Sequence, residues 1–404
     1  VTAQSYLPGD VIIENCMITG QNGSLDATQS LLEARVYESI ATPNYVMELE
    51  IFDDNGAVST LNLSGGETVD FSFCAPGGPI ASYSGVIDKI EVKNITGTQK
   101  GKEYIFTCPG KETFISKGSY VQKSYNTDIA SIVRDLHTNF LQSISPLITE
   151  ATFGIQKIII PNLKPFEAID MVRRRATSAQ NQSSTFLYFQ NYEGHNFKTI
   201  EGMMQGSSVK TLTSYDGIDH SIFNNTLNNI IDYEIPQIIV ANQRVDLGSM
   251  TQRVATFDIR SRQYIYQDQT IDGSGGKTSN PGRWNSTNFI QQFAQKFNFF
   301  SMIPWDSFWS ATNIPQTTPL QMAYMSNLLQ NYVNVLVNGD PTVKVGDIVT
   351  LDLPMTSSLT GALQNDPQIS GNYLVSRLVR SIKPRGETPR YTETLEAISG
   401  SPAT

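Results

Sequence analysis

Three cysteines, three histidines and a charged fraction of only 17% are what 404 residues offer to redox, acid-base and electrostatic chemistry. Cys16, Cys74 and Cys108 are odd in number and sit in no metal-ligand spacing. A chain of this length buries enough surface without covalent staples, so free thiols in a reducing compartment are expected. No run of about 18 apolar residues occurs, which leaves no candidate for a membrane-spanning helix or anchor. The stretch Val1 to Asp10 lacks the basic and apolar regions of a signal peptide, so export by that signal is not expected. Basic residues are also in deficit, 29 against 38 acidic, for a net charge of −9. Proteins that grip nucleic acid need clustered Lys and Arg to displace phosphate counterions, and tight DNA binding is therefore not expected.

The missing charge is replaced by Ser, Thr, Asn and Gln, a mixture that suits short strands and polar loops better than long surface helices. The length implies two to four domains. Met47, Leu49 and Ile51 alternate and run into Asp53-Asp54-Asn55-Gly56, which reads as a hairpin tip whose return strand carries Leu61 and Leu63. Val69, Phe71 and Phe73 alternate next, followed by strands from Gly85 through Ile90 and Val92 and from Tyr104 through Phe106. Short strands with one apolar face must close on themselves or find a second layer, so a small barrel is expected. The period then changes. Ile129, Ile132, Val133, Leu136 and Phe140 recur at helical spacing behind the capping candidates Asn126 and Thr127. A second helix is predicted from Pro165 to about Ser178, and strands Phe186–Gln190 and Asn196–Ile200 follow, joined through Glu193-Gly194.

Near the C-terminus the first pattern returns. Val333, Val335 and Val337 alternate, Gly339-Asp340-Pro341 turns, Val343 and Val345 follow, and Gly346-Asp347-Ile348-Val349-Thr350-Leu351-Asp352-Leu353 repeats the layout of Gly66-Glu67-Thr68-Val69-Asp70-Phe71-Ser72-Phe73. The order of elements around the two octapeptides repeats as well, with strands opening on Gly85 and Gly371 and on Tyr104 and Tyr391, which makes duplication the better account. The reading is a mainly β fold with an α+β insertion. A first barrel spans 1–118, an α+β domain 119–205, and a discontinuous second barrel 206–270 with 332–404. An irregular insertion spans 271–331, carrying Trp284, Trp305 and Trp309.

Chemistry-bearing candidates are few. Gly276-Lys277-Thr278 resembles the end of a phosphate loop, but Ile271 stands where the motif needs glycine. Asp219-His220-Ser221 are immediate neighbours and do not converge as a catalytic triad without a special turn. Asp53, Asp54 and Asn55 lack the spacing of a calcium loop. Arg173-Arg174-Arg175 reads as a solvated helix end complementing the dipole. His137 falls on the predicted helix and His195 in a hairpin loop. No catalytic, cofactor or metal site is assigned, and an enzyme is not expected.

The chain resembles the baseplate central hub of contractile phage tails and, more distantly, the hub portion of type VI secretion spikes. The resemblance rests on Lys164-Pro165-Phe166-Glu167-Ala168-Ile169-Asp170-Met171, on Arg173 to Ser178, on Phe186 to Phe189 with Gly194 and Phe197 to Glu201, on Val343 to Val349, and on Ser370 to Val375. It implies two tail-tube-like barrels per chain and a homotrimer with six similar modules around a channel. The implied partners are a tube or tube-initiator protein above, a spike protein below, the end of the tape measure inside and wedge proteins outside. DNA would pass without specific binding, and assembly would take place in the host bacterial cytoplasm. Two other readings are a carbohydrate-binding adhesin, which would expose the three tryptophans, and a cell-wall hydrolase dependent on His220. A hub of a phage-like secretion system usually continues into a fused spike, so a free-standing hub is expected here.

Overall fold

A computed structural model describes residues 9–94, 101–181, 183–214, 227–237, 251–258, 261–270, 299–305, 332–354, 365–366, 369–385 and 390–399. The chain opens with β1 (Ile12–Gly20), β2 (Gly23–Asp26), β3 (Leu31–Ser39) and β4 (Val46–Asp53). A helical turn α1 (Ala57–Thr60) leads to β5 (Thr68–Cys74), β6 (Ile80–Val86), β7 (Lys89–Asn94) and β8 (Lys102–Pro109). One layer has the order β2-β1-β5-β6, and the facing layer contains β3-β4-β8-β7. Alternating side chains from both fill one core around Ile18, Val36, Leu49, Phe71, Phe73 and Phe106. A bridge between Gly85 and Gly110 joins the layers on one side.

The turn at Asp53 differs from the expected hairpin. Both carboxylate oxygens of Asp53 accept backbone N–H bonds, from Ala57 at 2.9 Å and Val58 at 3.1 Å. This satisfies the orphan donors of a helical turn, and Leu61 and Leu63 lie beyond that turn, outside any strand. Gly85 also does not open a strand: it lies near the end of β6, and the chain bends before β7.

The middle of the chain builds a separate core from α2 (Glu112–Gly118), β9 (Val121–Thr127), α3 (Ile129–Asp135), β10 (Leu147–Thr149), β11 (Gln156–Leu163), α4 (Pro165–Arg173), β12 (Phe186–Asn191), β13 (Gly194–Thr199) and α5 (Ile200–Met204). Ile132, Leu136, Ile160, Ile169, Phe186 and Phe197 lie at its centre. The cap of α3 is Asp128, whose carboxylate accepts from the N–H of Ser131, rather than Asn126 or Thr127, which belong to β9. A π turn, Leu136–Phe140, continues α3. Helix α4 starts at Pro165, where the missing N–H costs nothing, and stops at Arg173, short of Ser178.

The last part comprises β14 (Ser208–Thr213), β15 (Ile230–Gln237), β16 (Thr251–Asp258), β17 (Gln263–Thr270), β18 (Phe299–Trp305), β19 (Tyr332–Asn338), β20 (Ile348–Asp352), β21 (Gly371–Lys383) and β22 (Arg390–Ser399). Strands β17-β16-β18 form a sheet of their own, whose third strand comes from within 271–331. The other six pair as β14-β20-β21-β22-β19-β15, and a parallel bridge between Thr213 and Asn229 joins the two ends of that series into a second barrel. Its core holds Val335, Val349, Leu351, Leu374, Leu378 and Leu395. Val343 and Val345 are buried in the turn before β20 rather than in a strand.

Candidate assembly surface

The two barrels meet on β21. Its first residues, Gly371 to Leu374, pair with β20, while Arg377 to Ile382 pair antiparallel with Ser39 to Ala34 of β3. One sheet of ten strands results, with β15-β19-β22-β21-β3-β4-β8-β7 in unbroken order. Ile382 and Tyr391, from the last hairpin, are buried in the first barrel's core.

Charged residues at core positions lock this junction. Arg380 and Glu393 are fully buried, although each occupies the inward phase of its strand, between Leu378 and Ile382 and between Tyr391 and Leu395. The Arg380 guanidinium pairs with Glu393, donates to the Tyr391 hydroxyl at 2.7 Å and donates to the carbonyl of Val343 at 2.7 Å. The Tyr192 ring lies 5.7 Å from it. Across the junction, Glu38 on β3 accepts from the Tyr83 hydroxyl at 2.9 Å. Arg380 thus faces two buried carboxylates. Burial pushes Glu393 up to about 7 and raises Glu38 as well, with Arg380 opposing both shifts. The network draws residues from both barrels and from the β12–β13 turn.

The barrels correspond strand by strand. In the first, the N–H of Gly66 bonds Ile87 O and the N–H of Ile87 bonds Glu67 O; in the second, Gly346 and Val375 do the same with Val375 O and Asp347 O. Gly66 and Gly346 both have left-handed φ, 95° and 91°. Strand β21, which bulges between Val375 and Arg377, corresponds to β6 and β7 together, which break at the same place. The pairings Met47↔Cys108 and Val333↔Ala397 match, and β3–β4 and β15–β19 share a bulge, between Leu31 and Glu33 and between Ile230 and Asp232. The outermost strands differ: β1 runs antiparallel to β5, whereas β14 runs parallel to β20.

The same correspondence singles out the two ends of the long sheet. In the intramolecular junction, β3 of one barrel pairs with β21 of the other; the counterparts of these strands are β15 and β7. Among the described residues neither pairs along its outer edge.

The sequence matches no protein-family model and no curated protein. Solved structures do match. The tail protein from Neisseria meningitidis MC58 superposes with a TM-score of 0.60 at 10% identity, over 95% of this chain and 96% of that one. The 43 kDa tail protein of prophage MuSo2 from Shewanella oneidensis gives 0.57 at 10% identity, over 96% and 98%. The chain shares its fold with these tail proteins. An E. coli type VI secretion component gives 0.46 at 8% identity, over 98% and 77%.

On this tail-protein fold, the sheet face turned away from the barrel cores is charged but internally paired. Arg35 bonds Glu33, Lys93 bonds Glu50, and Lys89 bonds Glu91, while Arg377 and Lys383 approach Glu396 and Glu33 at 3.8 Å. Such a face offers a polyanion few unpaired cations.

Among the described residues, the acidic and arginine candidates raised from sequence are held locally. Asp53 caps α1, and Arg173 and Arg174 both bond Asp170. His137 and His195 instead meet inside the α+β part, ring centroids 4.9 Å apart, where His137 bonds the Tyr188 hydroxyl and Ser145 O and His195 approaches Asn44 of the first barrel at 3.5 Å. Burial and the neighbouring imidazole hold His195 down to about 3, a neutral packing histidine. All three cysteines are free and buried, and burial raises Cys16 to about 12, so that an unreactive thiol results. His220, Gly276 to Thr278, Trp284 and Trp309, with the Trp305 side chain, lie outside the described residues. Among the described residues no group of His, Cys, Asp or Glu is placed to hold a metal ion, and no helix is long and apolar enough to cross a membrane.

Proposed function

We propose that the chain is a non-enzymatic hub of a contractile phage-type tail, three copies of which form a ring with six similar barrels around a channel. The observation that carries this reading is the duplication in register within one continuous sheet. A chain that joins two equivalent modules edge to edge gives, in three copies, a ring of true threefold and approximate sixfold symmetry. Such a ring fits a sixfold tube on one side and a threefold spike on the other. The shared fold with tail proteins supports the setting. The division into two barrels, an α+β domain and the segment 271–331 belongs to the same proposal.

In this ring the outward sheet face becomes the channel wall. Its paired charges suit a passage for DNA and the end of a tape measure, because phosphates find no cluster of free cations there. Tube or tube-initiator protein, spike protein and wedge proteins are the proposed partners, and the tail baseplate of the virion the proposed location. Light scattering on the purified chain, alone and mixed with the spike protein encoded in the same genome, tests the reading. A trimer, or a monomer that becomes trimeric with the spike, is expected; a monomer unmoved by the spike would contradict it.

A further inference from the structure

We infer that the copies join by antiparallel pairing of β7 of one chain with β15 of the next, in a register that sets Val92 opposite Ile235 of the neighbouring copy. This rests on the ring reading and specifies its contact.

The register follows from the internal junction. There, Arg380 of β21 lies opposite Val36 of β3. Gly85 pairs with Val69 as Tyr373 pairs with Val349, and Lys89 pairs with Thr107 as Arg377 pairs with Glu396, which places Val92 at the position of Arg380. Ala34 pairs with Leu49 as Tyr233 pairs with Val335, which places Ile235 at the position of Val36. Carrying the internal pairing across to these two edges, unpaired among the described residues, therefore puts Val92 against Ile235.

The side chains present at those edges fit each other. Val92 is 51% exposed, an apolar residue at a position whose counterpart in the internal junction is fully buried. Ile235 packs against the second core and is only partly covered. One residue further along, Lys93, which also bonds Glu50 of its own chain, falls opposite exposed Glu234 on the outward face. Pairing would end at Pro236, which has no N–H to offer a ladder. Where the internal junction holds Arg380 and Glu393, the matching positions are Val92 and Tyr104, so the contact between copies lacks the ion pair that the one within the chain has. The occupant is a second copy of this chain, because the edges are complementary to one another. A head-to-tail contact of this type closes into a ring or grows without limit, according to the rotation between copies.

Paired cysteines test the register, since directly opposed residues on antiparallel strands lie about 4.5–5.5 Å apart, within disulfide reach. The full-length variant Val92→Cys with Ile235→Cys is oxidised and run without reductant, beside both single variants and Glu91→Cys with Ile235→Cys, whose cysteines lie one residue out of register. The native cysteines are buried and do not compete. The expected result is a shift from one chain to covalent trimers and no larger species, confined to the in-register pair. Trimers by light scattering with no cross-link, or with equal cross-linking of the off-register pair, would overturn the inference and leave the ring reading standing. Monomers without cross-link, both alone and mixed with the spike protein, would overturn both. In-register ladders beyond three chains would uphold the pairing and overturn the closed ring.

Discussion

Replacing Arg380 with methionine should open the junction between the barrels. The guanidinium is fully buried, bonds Tyr391 and Val343 O, and is the cation facing Glu393 and Glu38. Removing one member of such a group leaves a buried carboxylate uncompensated, which costs about 3–5 kcal/mol. For a cooperative unit of this size, thermal unfolding should fall by on the order of 10 °C. The double variant Arg380→Met with Glu393→Met removes both charges together, and replacement of a whole buried pair by apolar side chains is often close to neutral. Glu38 stays buried without Arg380 in that variant, so only part of the loss should be recovered. Differential scanning calorimetry on wild type, both singles and the double closes the cycle. A single variant melting within a degree of wild type would show that the network does not hold the junction. A double variant as unstable as the single would show that the cost does not come from stranding Glu393.

Glu393 also makes stability depend on pH. Its ordinary value is 4.5 and its folded value about 7, so the folded state binds the extra proton between them. Its contribution is fully present below 4.5 and is lost as pH rises through 7, a difference of roughly 3 kcal/mol. His195 acts in the opposite sense on the acid side, so the informative quantity is the urea midpoint of wild type minus that of Glu393→Gln between pH 5 and 8; it should fall with pH, and a flat difference would refute the assignment. Gly339→Ala should cost about 3 kcal/mol or more, because an added Cβ would sit 2.1 Å from the ring of Tyr391, which its bonds to Arg380 and Glu393 hold in place. Gly118→Ala, with open space around it, is the control and should stay within about 0.5 kcal/mol in chemical denaturation. Duplex DNA should not be retained by the wild-type protein at physiological salt, whereas Glu33→Lys with Glu50→Lys, which leaves Arg35 and Lys93 without their carboxylates, should bind it with a steep salt dependence in fluorescence anisotropy.

The strands around Val69, Phe71 and Phe73 and around Val333, Val335 and Val337 were legible because one face is apolar and the other polar, the pattern a half-buried strand must carry. Strands β1 and β3 were not. Ile12-Ile13 and Cys16-Met17-Ile18 place apolar side chains on both faces, and buried Glu38 interrupts the alternation of β3. The Asp53 cluster misled for a related reason, since aspartate suits both a hairpin tip and a helix cap, and only the position of its carboxylate separates them. The junction network escaped sequence reading, although its signal was present: Arg380 between Leu378 and Ile382, and Glu393 between Tyr391 and Leu395, are charges in the core phase of otherwise apolar strands. Two such charges of opposite sign on neighbouring strands indicate a buried pair. The repeat was visible through Gly66-Glu67 and Gly346-Asp347, but its register required the backbone bonds, and the alignment of Gly85 with Gly371 was two residues out, because Gly85 corresponds to Tyr373.

The central claim is that three chains make a ring whose repeating unit is half a chain. Electron-microscopic class averages of the purified assembly, with its mass measured on the same sample, test it directly. The account predicts end views with six lobes around an open channel and a mass three times the 44.7 kDa of the chain. Particles without a channel, or a ring whose mass requires six chains, would contradict it.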